Sequence, residues 1–202
     1  MTSRYHRRKT FFENKAKSWD KNCNHDPDKI LAILKYANLQ QGNVVLDVGC
    51  GTGILIPEII KMIGENGKIV ALDYAENMII EAQKKFSTEY YPNVTFLQTD
   101  YVHLHYHDYF DRIIFYSCFP HFDDQEKVLT LSKKYFHKTG SIVIAHSQSR
   151  DEINHLHARK ESAVSSDYLP SVDELHALCT AVSLKIDGII DNENMFIIRI
   201  TQ

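Results

Sequence analysis

The stretch from Val44 to Gly53, VVLDVGCGTG, limits the possible folds of this chain more than any other part of the sequence. A short apolar run leads into the acidic Asp47, and glycines follow at alternate positions, Gly49, Gly51 and Gly53. An apolar segment with helical spacing comes directly afterwards. This order of buried strand, glycine turn and helix is typical of the nucleotide-binding end of an α/β fold. Glycines suit the turn because a ligand can approach a backbone without Cβ atoms, and because the turn visits positive φ angles.

The glycine spacing and the preceding carboxylate favour a ligand that carries a positive charge. A dinucleotide fingerprint has the spacing G-x-G-x-x-G and places a pyrophosphate at the helix N-terminus. Here the spacing is G-x-G-x-G, and Asp47 would repel a phosphate but suit a cationic ammonium group. The segment resembles motif I of the class I S-adenosyl-L-methionine (SAM) dependent methyltransferases, D/E-x-G-x-G-x-G, and matches it completely.

The resemblance extends over roughly residues 40 to 200 and is to the small-molecule, type 11/25-like, methyltransferases. It implies SAM as the cofactor and S-adenosyl-L-homocysteine as the product. The residues that it assigns to the cofactor in this segment are Asp47, Gly49, Cys50, Gly51, Thr52 and Gly53.

The fold class that the resemblance implies is α/β, with a Rossmann-like seven-stranded sheet and helices on both faces. The implied strand order is 3-2-1-4-5-7-6, with strand 7 antiparallel. Apolar runs predict the later strands at 68–73, 94–98, 111–117, 141–146, 182–189 and 194–200. Helices are expected near 53–63, 75–87, 123–137 and 172–180. A chain of 202 residues fits a single domain, 1–202, with an N-terminal helical cap at 1–40 and an acceptor-side insertion at 147–171.

Carboxylates follow the second and third predicted strands, where such folds bind the nucleoside. Asp73 comes about 20 residues after the glycines, the spacing at which a carboxylate binds ribose hydroxyls. The resemblance assigns Asp73 to the ribose of SAM, with Tyr74 and Met78 beside the adenine. It assigns Asp100 and Tyr101 to the adenine amino group and a ring nitrogen. For Asp73, the alternative is a strand-end carboxylate that only caps a helix.

The segment 11–20, FFENKAKSWD, places aromatic groups on one face of a short helix. It resembles the F-F-D-x-x-A-x-x-Y/W-D segment that covers the cofactor and acceptor pocket in many small-molecule methyltransferases. Glu13 takes the acidic position and Trp19 the aromatic one. A helix that only packs on the core is an equal alternative. Aromatic faces stabilise a sulfonium through cation–π contacts, and the candidates are Trp19, Tyr116, Phe119 and Tyr5.

A basic cluster precedes this segment and comprises Arg4, His6, Arg7, Arg8 and Lys9. A frayed, solvated terminus is the simplest interpretation, because chain ends are often poorly ordered. An arm that steers anions is the alternative.

A general base helps methyl transfer if the acceptor carries a proton. His121, just beyond the fourth strand, is the first candidate, followed by His146 at the end of the fifth strand and His155 in the insertion. No metal site is expected. The alternate histidines at 103, 105 and 107 lie in one short tract, whereas metal sites draw ligands from several segments. The four cysteines contain no CxxC pair and indicate neither zinc nor a disulfide framework.

The resemblance implies an enzyme that transfers the methyl group of SAM to a small-molecule acceptor by in-line displacement, mainly by aligning the two reactants. A nucleic-acid substrate is disfavoured by the net charge of −3 and the pI near 6.4. The chain also lacks the D/N-P-P-Y/F motif that nucleic-acid amino methyltransferases usually carry after the fourth strand. Two alternatives remain: a SAM-binding sensor or degenerate enzyme without turnover, and an RNA or protein methyltransferase. No apolar run is long enough to span a membrane, and the N-terminus lacks the apolar core of a signal peptide. A cytoplasmic monomer or homodimer is expected.

Overall fold

The computed structural model describes residues 3–23, 25–158 and 163–202. Seven strands form one sheet in the order β3-β2-β1-β4-β5-β7-β6. The strands are β1 Val44–Val48, β2 Lys68–Asp73, β3 Val94–Gln98, β4 Phe110–Tyr116, β5 Phe136–His146, β6 Lys185–Asp191 and β7 Phe196–Thr201. Strands β1 to β5 pair in parallel, whereas β7 runs antiparallel to both β5 and β6. The predicted fold class and strand order are therefore confirmed.

Helices cover both faces of the sheet. They are α1 Ser3–Lys15, α2 Trp19–Asn22, α3 Pro27–Tyr36, α4 Ile56–Ile63, α5 Glu76–Lys85, α6 Gln125–Tyr135, α7 Arg150–Ala158 and α8 Val172–Ala181. Along β1 the buried side chains alternate, so that Leu46 and Val48 join one core cluster while Val45 joins the other. Helices α3 to α5 pack on the Val45 face, and α6 to α8 pack on the opposite face.

Three predicted boundaries shift for local reasons. Helix α4 begins at Ile56 and not near residue 53, because turn conformations, with positive φ at Gly51 and Gly53, precede it. Strand β5 begins at Phe136, where helix was expected to continue, because Phe136 pairs with Phe110 of β4. Strand β6 begins at Lys185, three residues late, because Ser183 adopts a positive φ of 56°.

The segment after β5 opens with a capping box. The Glu152 backbone N–H donates to Ser149 Oγ at 3.2 Å, and the Ser149 N–H donates to Glu152 Oε2 at 3.0 Å. Helix α7 follows, and part of the predicted insertion, residues 159–162, lies outside the described residues. In the described part of the chain, none of the helices has the length and apolar character needed to cross a membrane.

Candidate active site

A cavity of about 280 Å³ lies at the carboxyl ends of β1, β2 and β4, beneath the N-terminal helix. All but one of the predicted cofactor residues line it: Trp19, Asp47, Gly49, Cys50, Gly51, Thr52, Asp73, Tyr74, Met78, Asp100, Tyr101 and Tyr116. Gly53 is the exception. A Cβ there would lie 2.9 Å from Ile56 and Phe86, so Gly53 allows close packing of α4 and does not line the cavity.

The glycine loop leaves bare backbone facing the cavity. Gly49 and Gly51 have φ angles of 66° and 55°, a left-handed region that favours glycine. A Cβ on Gly49 would lie 2.8 Å from Cys118 Cβ, whereas a Cβ on Gly51 would meet only Trp19 Nε1, at 3.9 Å. Gly49 therefore permits close packing with the residue after β4, and Gly51 keeps room for a ligand against the backbone.

Asp47 is a buried carboxylate that lacks a complete set of partners. Its side chain is 1% exposed, and Oδ2 has no hydrogen-bond partner among the described residues. Burial, reinforced by the nearby Asp73 carboxylate, raises the pKa of Asp47 to about 7. An ammonium group in the cavity would supply the missing charge and hydrogen bond.

Asp73 ties the glycine loop to helix α5. Its Oδ2 accepts the Gly51 N–H and its Oδ1 accepts the Ala75 N–H, both at 2.9 Å. Burial raises the pKa of Asp73 to about 6, although these hydrogen bonds oppose the shift. Asp73 therefore caps the segment before α5 and also lines the cavity. Its capping contacts leave the ribose-binding role open.

Helix α1 forms the roof of the cavity. Tyr5, Arg8 and Phe12 line the cavity, and their spacing of three and four residues places them on one helical face. The Glu13 carboxylate accepts the N–H groups of Glu76 and Asn77, both at 2.8 Å. A carboxylate at the N-terminus of α5 is favourable because it meets free N–H groups and the positive end of the helix dipole.

The prediction of a frayed terminus is wrong for two of the basic residues. Arg8 is 3% exposed, and its Nη2 lies 2.7 Å from Asp123 Oδ1 while its Nε lies 3.1 Å from Asp167 Oδ2. Arg4 Nη2 lies 2.8 Å from Asp167 Oδ1. The two carboxylates attract this end of the chain, whereas Arg7 remains exposed.

The adenine-side residues differ from each other in their surroundings. Asp100 Oδ1 accepts the Val102 N–H at 3.1 Å, and the Asp100 carboxylate also hydrogen bonds to the Tyr5 side chain. Burial and this carboxylate raise the pKa of Tyr5 to about 12. The Tyr101 hydroxyl lies 2.7 Å from Ser132 Oγ inside the core. We therefore expect only the backbone of Tyr101 to be available to a cofactor.

His121 is the predicted histidine that lines the cavity, and its partner was not foreseen. Its Nδ1 lies 2.6 Å from Oδ2 of Asp167, whose side chain is completely buried. Burial alone would raise the pKa of Asp167, but hydrogen bonds from His121 and Arg4 hold that pKa below its usual value. Nothing in the local sequence around Asp167 indicates this role, because its partners lie far away along the chain.

The structure does not bring the other two candidate bases to the cavity. His146 is 1% exposed and pairs with Phe196 across the sheet, and burial lowers its pKa to about 3. Neither ring nitrogen of His146 has a hydrogen-bond partner in the part of the chain that the structure describes. His155 is exposed on α7. Neither His146 nor His155 is among the described residues that line the cavity, so neither is proposed as a base.

His25 lines the cavity and was overlooked in the sequence, where it stands in a short connection before α3. Its Nδ1 lies 2.9 Å from the Tyr116 hydroxyl, which donates to Ser147 Oγ at 3.0 Å. The histidines at 103, 105 and 107 are exposed. Across residues 3–23, 25–158 and 163–202, no three His, Cys, Asp or Glu side chains are arranged to hold a metal ion.

The strand order, the glycine cradle and the buried carboxylates define a nucleoside-binding α/β protein of the methyltransferase type. A family model described as a methyltransferase domain matches residues 39–194, and the chain belongs to this family. The expected class of protein, a SAM-dependent methyltransferase, is therefore confirmed.

Similar sequences are found among characterised methyltransferases. A demethylmenaquinone methyltransferase of Shouchella clausii is 31% identical over 75 residues, 37% of this chain and 32% of that protein. Malonyl-[acyl-carrier protein] O-methyltransferase 1 of Ilyobacter polytropus is 32% identical over 120 residues, 58% of this chain and 43% of that protein. The chain thus spans less than half the length of these curated relatives.

Similar folds are found in solved structures. A SAM-dependent methyltransferase from Aquifex aeolicus has a TM-score of 0.73 at 22% identity and covers 93% of this chain and 97% of its own. The protein in the DhpI-SAM-HEP complex has a TM-score of 0.76 at 16% identity and covers both chains fully. At these identities the likeness concerns the fold alone.

Proposed function

We propose that this protein transfers the methyl group of SAM to a small-molecule acceptor within the roofed cavity. The observation that carries the proposal is that Asp47 Oδ2, which has no hydrogen-bond partner among the described residues, lines the same cavity as the bare backbone of Gly51. A ligand that combines an ammonium group with a nucleoside suits both features. When bound, SAM supplies an electrophilic methyl group on a sulfonium.

Each cofactor residue has a distinct task in this proposal. Asp47 would hold the ammonium group, and Asp73 would hold the ribose hydroxyls while it fixes the glycine loop. Asp100 would accept a hydrogen bond from the adenine amino group. The aromatic side chains of Trp19 and Tyr116 line the cavity and would favour the positive sulfonium.

His121 is the proposed general base. Because Nδ1 donates to Asp167, Nε2 is the nitrogen that can accept a proton from the acceptor. The buried Asp167 carboxylate would fix the orientation of the ring and stabilise the imidazolium that forms. His121 Nε2 would take up the proton that the acceptor loses when it receives the methyl group of SAM, and would later release this proton to solvent.

A small acceptor is supported by the shape of the site and by the relatives. Helix α1 roofs a cavity of about 280 Å³, which is at the small end of the range for sites that bind small molecules. One relative is named for demethylmenaquinone, a small molecule, and another for the malonyl group of an acyl-carrier protein. Arg4 and Arg8, which belong to the basic cluster that could steer anions, contact the carboxylates of Asp167 and Asp123 within the protein. We keep a cytoplasmic monomer or homodimer as part of the proposal.

Transfer of a radiolabelled methyl group from SAM to a panel of hydroxylated, thiol, amine and activated-carbon compounds tests the function. We expect labelled product from at least one compound and loss of that product in His121→Ala. SAM binding without transfer to any compound would favour the sensor alternative. Label in tRNA or protein, but in no small molecule, would favour the other alternative.

A further inference from the structure

His25 connects the ends of β4 and β5, whereas the three carboxylates proposed to hold the cofactor belong to the neighbouring strands β1, β2 and β3. Asp47 lies near the end of β1, Asp73 is the last residue of β2, and Asp100 follows β3. His25 instead contacts Tyr116, the last residue of β4, and through it Ser147, the first residue after β5. In parallel sheets the carboxyl ends of neighbouring strands form one ligand-binding edge, so His25 lies beside the space left for the acceptor.

The hydrogen-bond chain determines which nitrogen of His25 carries the proton. The Tyr116 hydroxyl donates its only hydrogen to Ser147 Oγ, so its oxygen can only accept from His25 Nδ1. Nδ1 therefore holds the ring proton, and Nε2 has a lone pair. Nε2 is buried and has no hydrogen-bond partner within the described ranges. A buried acceptor without a partner is unfavourable, and a ligand donor would satisfy it.

We propose that His25 Nε2 accepts a hydrogen bond from a hydroxyl or N–H group of the acceptor and thereby orients it toward the methyl group. This inference rests on the proposed function and narrows it, because the acceptor must carry a hydrogen-bond donor near the reacting end. Phe12, Trp19 and Phe122 add apolar surface to the cavity, which suits a ring that bears the donor.

The surroundings of His25 suit a neutral binding residue and not the base. Its Nδ1 partner is a phenol, which does not stabilise an imidazolium as the carboxylate beside His121 does. Burial lowers the pKa of His25, although Asp20 opposes the shift. His25 would therefore remain neutral and hold the donor, while His121 receives the proton.

The test uses 4-fluorophenol and its methyl ether, 4-fluoroanisole, in which a methyl group replaces the hydroxyl hydrogen and removes the donor. Each is titrated into the protein saturated with S-adenosylhomocysteine, and binding is followed by ¹⁹F NMR. We expect the phenol to bind about tenfold more tightly than the anisole, the value of one buried hydrogen bond. His25→Phe should abolish this preference, and His25→Gln, which retains an acceptor oxygen, should restore part of it.

His176→Phe on α8 is the matched control, because this histidine is exposed and far from the cavity lining. It should retain the full preference. A preference that survives in His25→Phe, equal binding of the two probes to the parent protein, or no binding of either probe would overturn the inference. Calorimetric titration of S-adenosylhomocysteine alone separates the two proposals. Failure there contradicts the proposed function, whereas normal binding in His25→Phe with lost phenol preference supports the role of His25.

Discussion

Nδ1 of His121 lies 2.6 Å from Oδ2 of Asp167, and the two residues are 46 positions apart in the chain. The pair joins the segment after β4 to the segment after β5, directly beneath helix α1. Arg4 and Arg8 meet the same carboxylate. Asp167 thus connects the roof of the cavity with the proposed base.

Asp167→Asn should slow turnover much more than it weakens SAM binding. An amide can retain the orientation of His121 in part, but it cannot stabilise an imidazolium with a negative charge. We expect kcat to fall about 100-fold, within the range for acid–base catalysis, while the Kd for SAM changes less than about threefold. Asp151→Asn, an exposed position on α7, is the control. An unchanged kcat would remove His121 from the role of base.

SAM affinity should depend on pH through Asp47. The pKa of this buried carboxyl is raised to about 7 from 3.8, so the free protein is stabilised by protonation and loses that stabilisation as pH rises from about 4 to 7. An ammonium ligand needs the ionised form. Calorimetry should therefore give an affinity for SAM about tenfold lower at pH 5.5 than at pH 7. Both pH values lie below the ordinary pKa of an α-amino group, about 8, so the amino group of the ligand is charged at both.

Asp47→Asn supplies the comparison for that titration. The substitution removes a buried negative charge, so the free protein at pH 7 should be at least as stable as the parent. Its SAM affinity should be low and nearly independent of pH. Equal affinities at pH 5.5 and pH 7 in the parent protein would contradict the assignment of Asp47 to the ammonium group.

Gly51→Ala and Gly42→Ala form a matched pair. Both glycines have positive φ, 55° and 82°, and an added Cβ meets no atom within 3.8 Å at either position. Each variant should therefore lose a similar stability, about 1 kcal/mol, from backbone strain. Only Gly51→Ala places a methyl group against the ligand, so only this variant should lose SAM-induced stabilisation in thermal unfolding. Equal SAM-induced stabilisation of the two variants would contradict the role of the Gly51 backbone in cofactor binding.

Arg8→Met should loosen the roof. It removes the cation between Asp123 and the buried Asp167, and breaking a buried ion pair destabilises a protein by about 3 kcal/mol. Arg7→Met, at an exposed position of the same helix, should change the free energy of unfolding by less than about 0.5 kcal/mol. Urea denaturation measures both, and similar values for the two variants would contradict the anchoring role of Arg8.

The cofactor side of the cavity could be predicted from sequence because its signals are local. Asp47 and the glycines follow one another in a strand and turn, and Asp73 ends the next strand at a fixed distance. Hydrophobic patterns predicted the strands and helices along the chain, and the resemblance to the methyltransferases implied the order of the strands in the sheet.

The acceptor side could not be predicted in the same way, because its contacts join distant segments. Asp167 meets Arg8 and His121 only after the segment following β5 has folded back beneath α1. His25 Nδ1 meets the hydroxyl of Tyr116, 91 positions away. No periodicity or spacing reports such pairs, and a histidine at a strand end, such as His146, can be fully buried in the sheet.

Calorimetric titration of SAM into the parent protein and into Asp73→Ala tests the central claim most directly, with Asp173→Ala, exposed on α8, as the control. The account predicts one SAM site in the parent protein and the control. It predicts an affinity about 10- to 100-fold lower in Asp73→Ala, the value of hydrogen bonds to a charged group. No SAM binding to the parent protein, or equal affinity in Asp73→Ala, would contradict it.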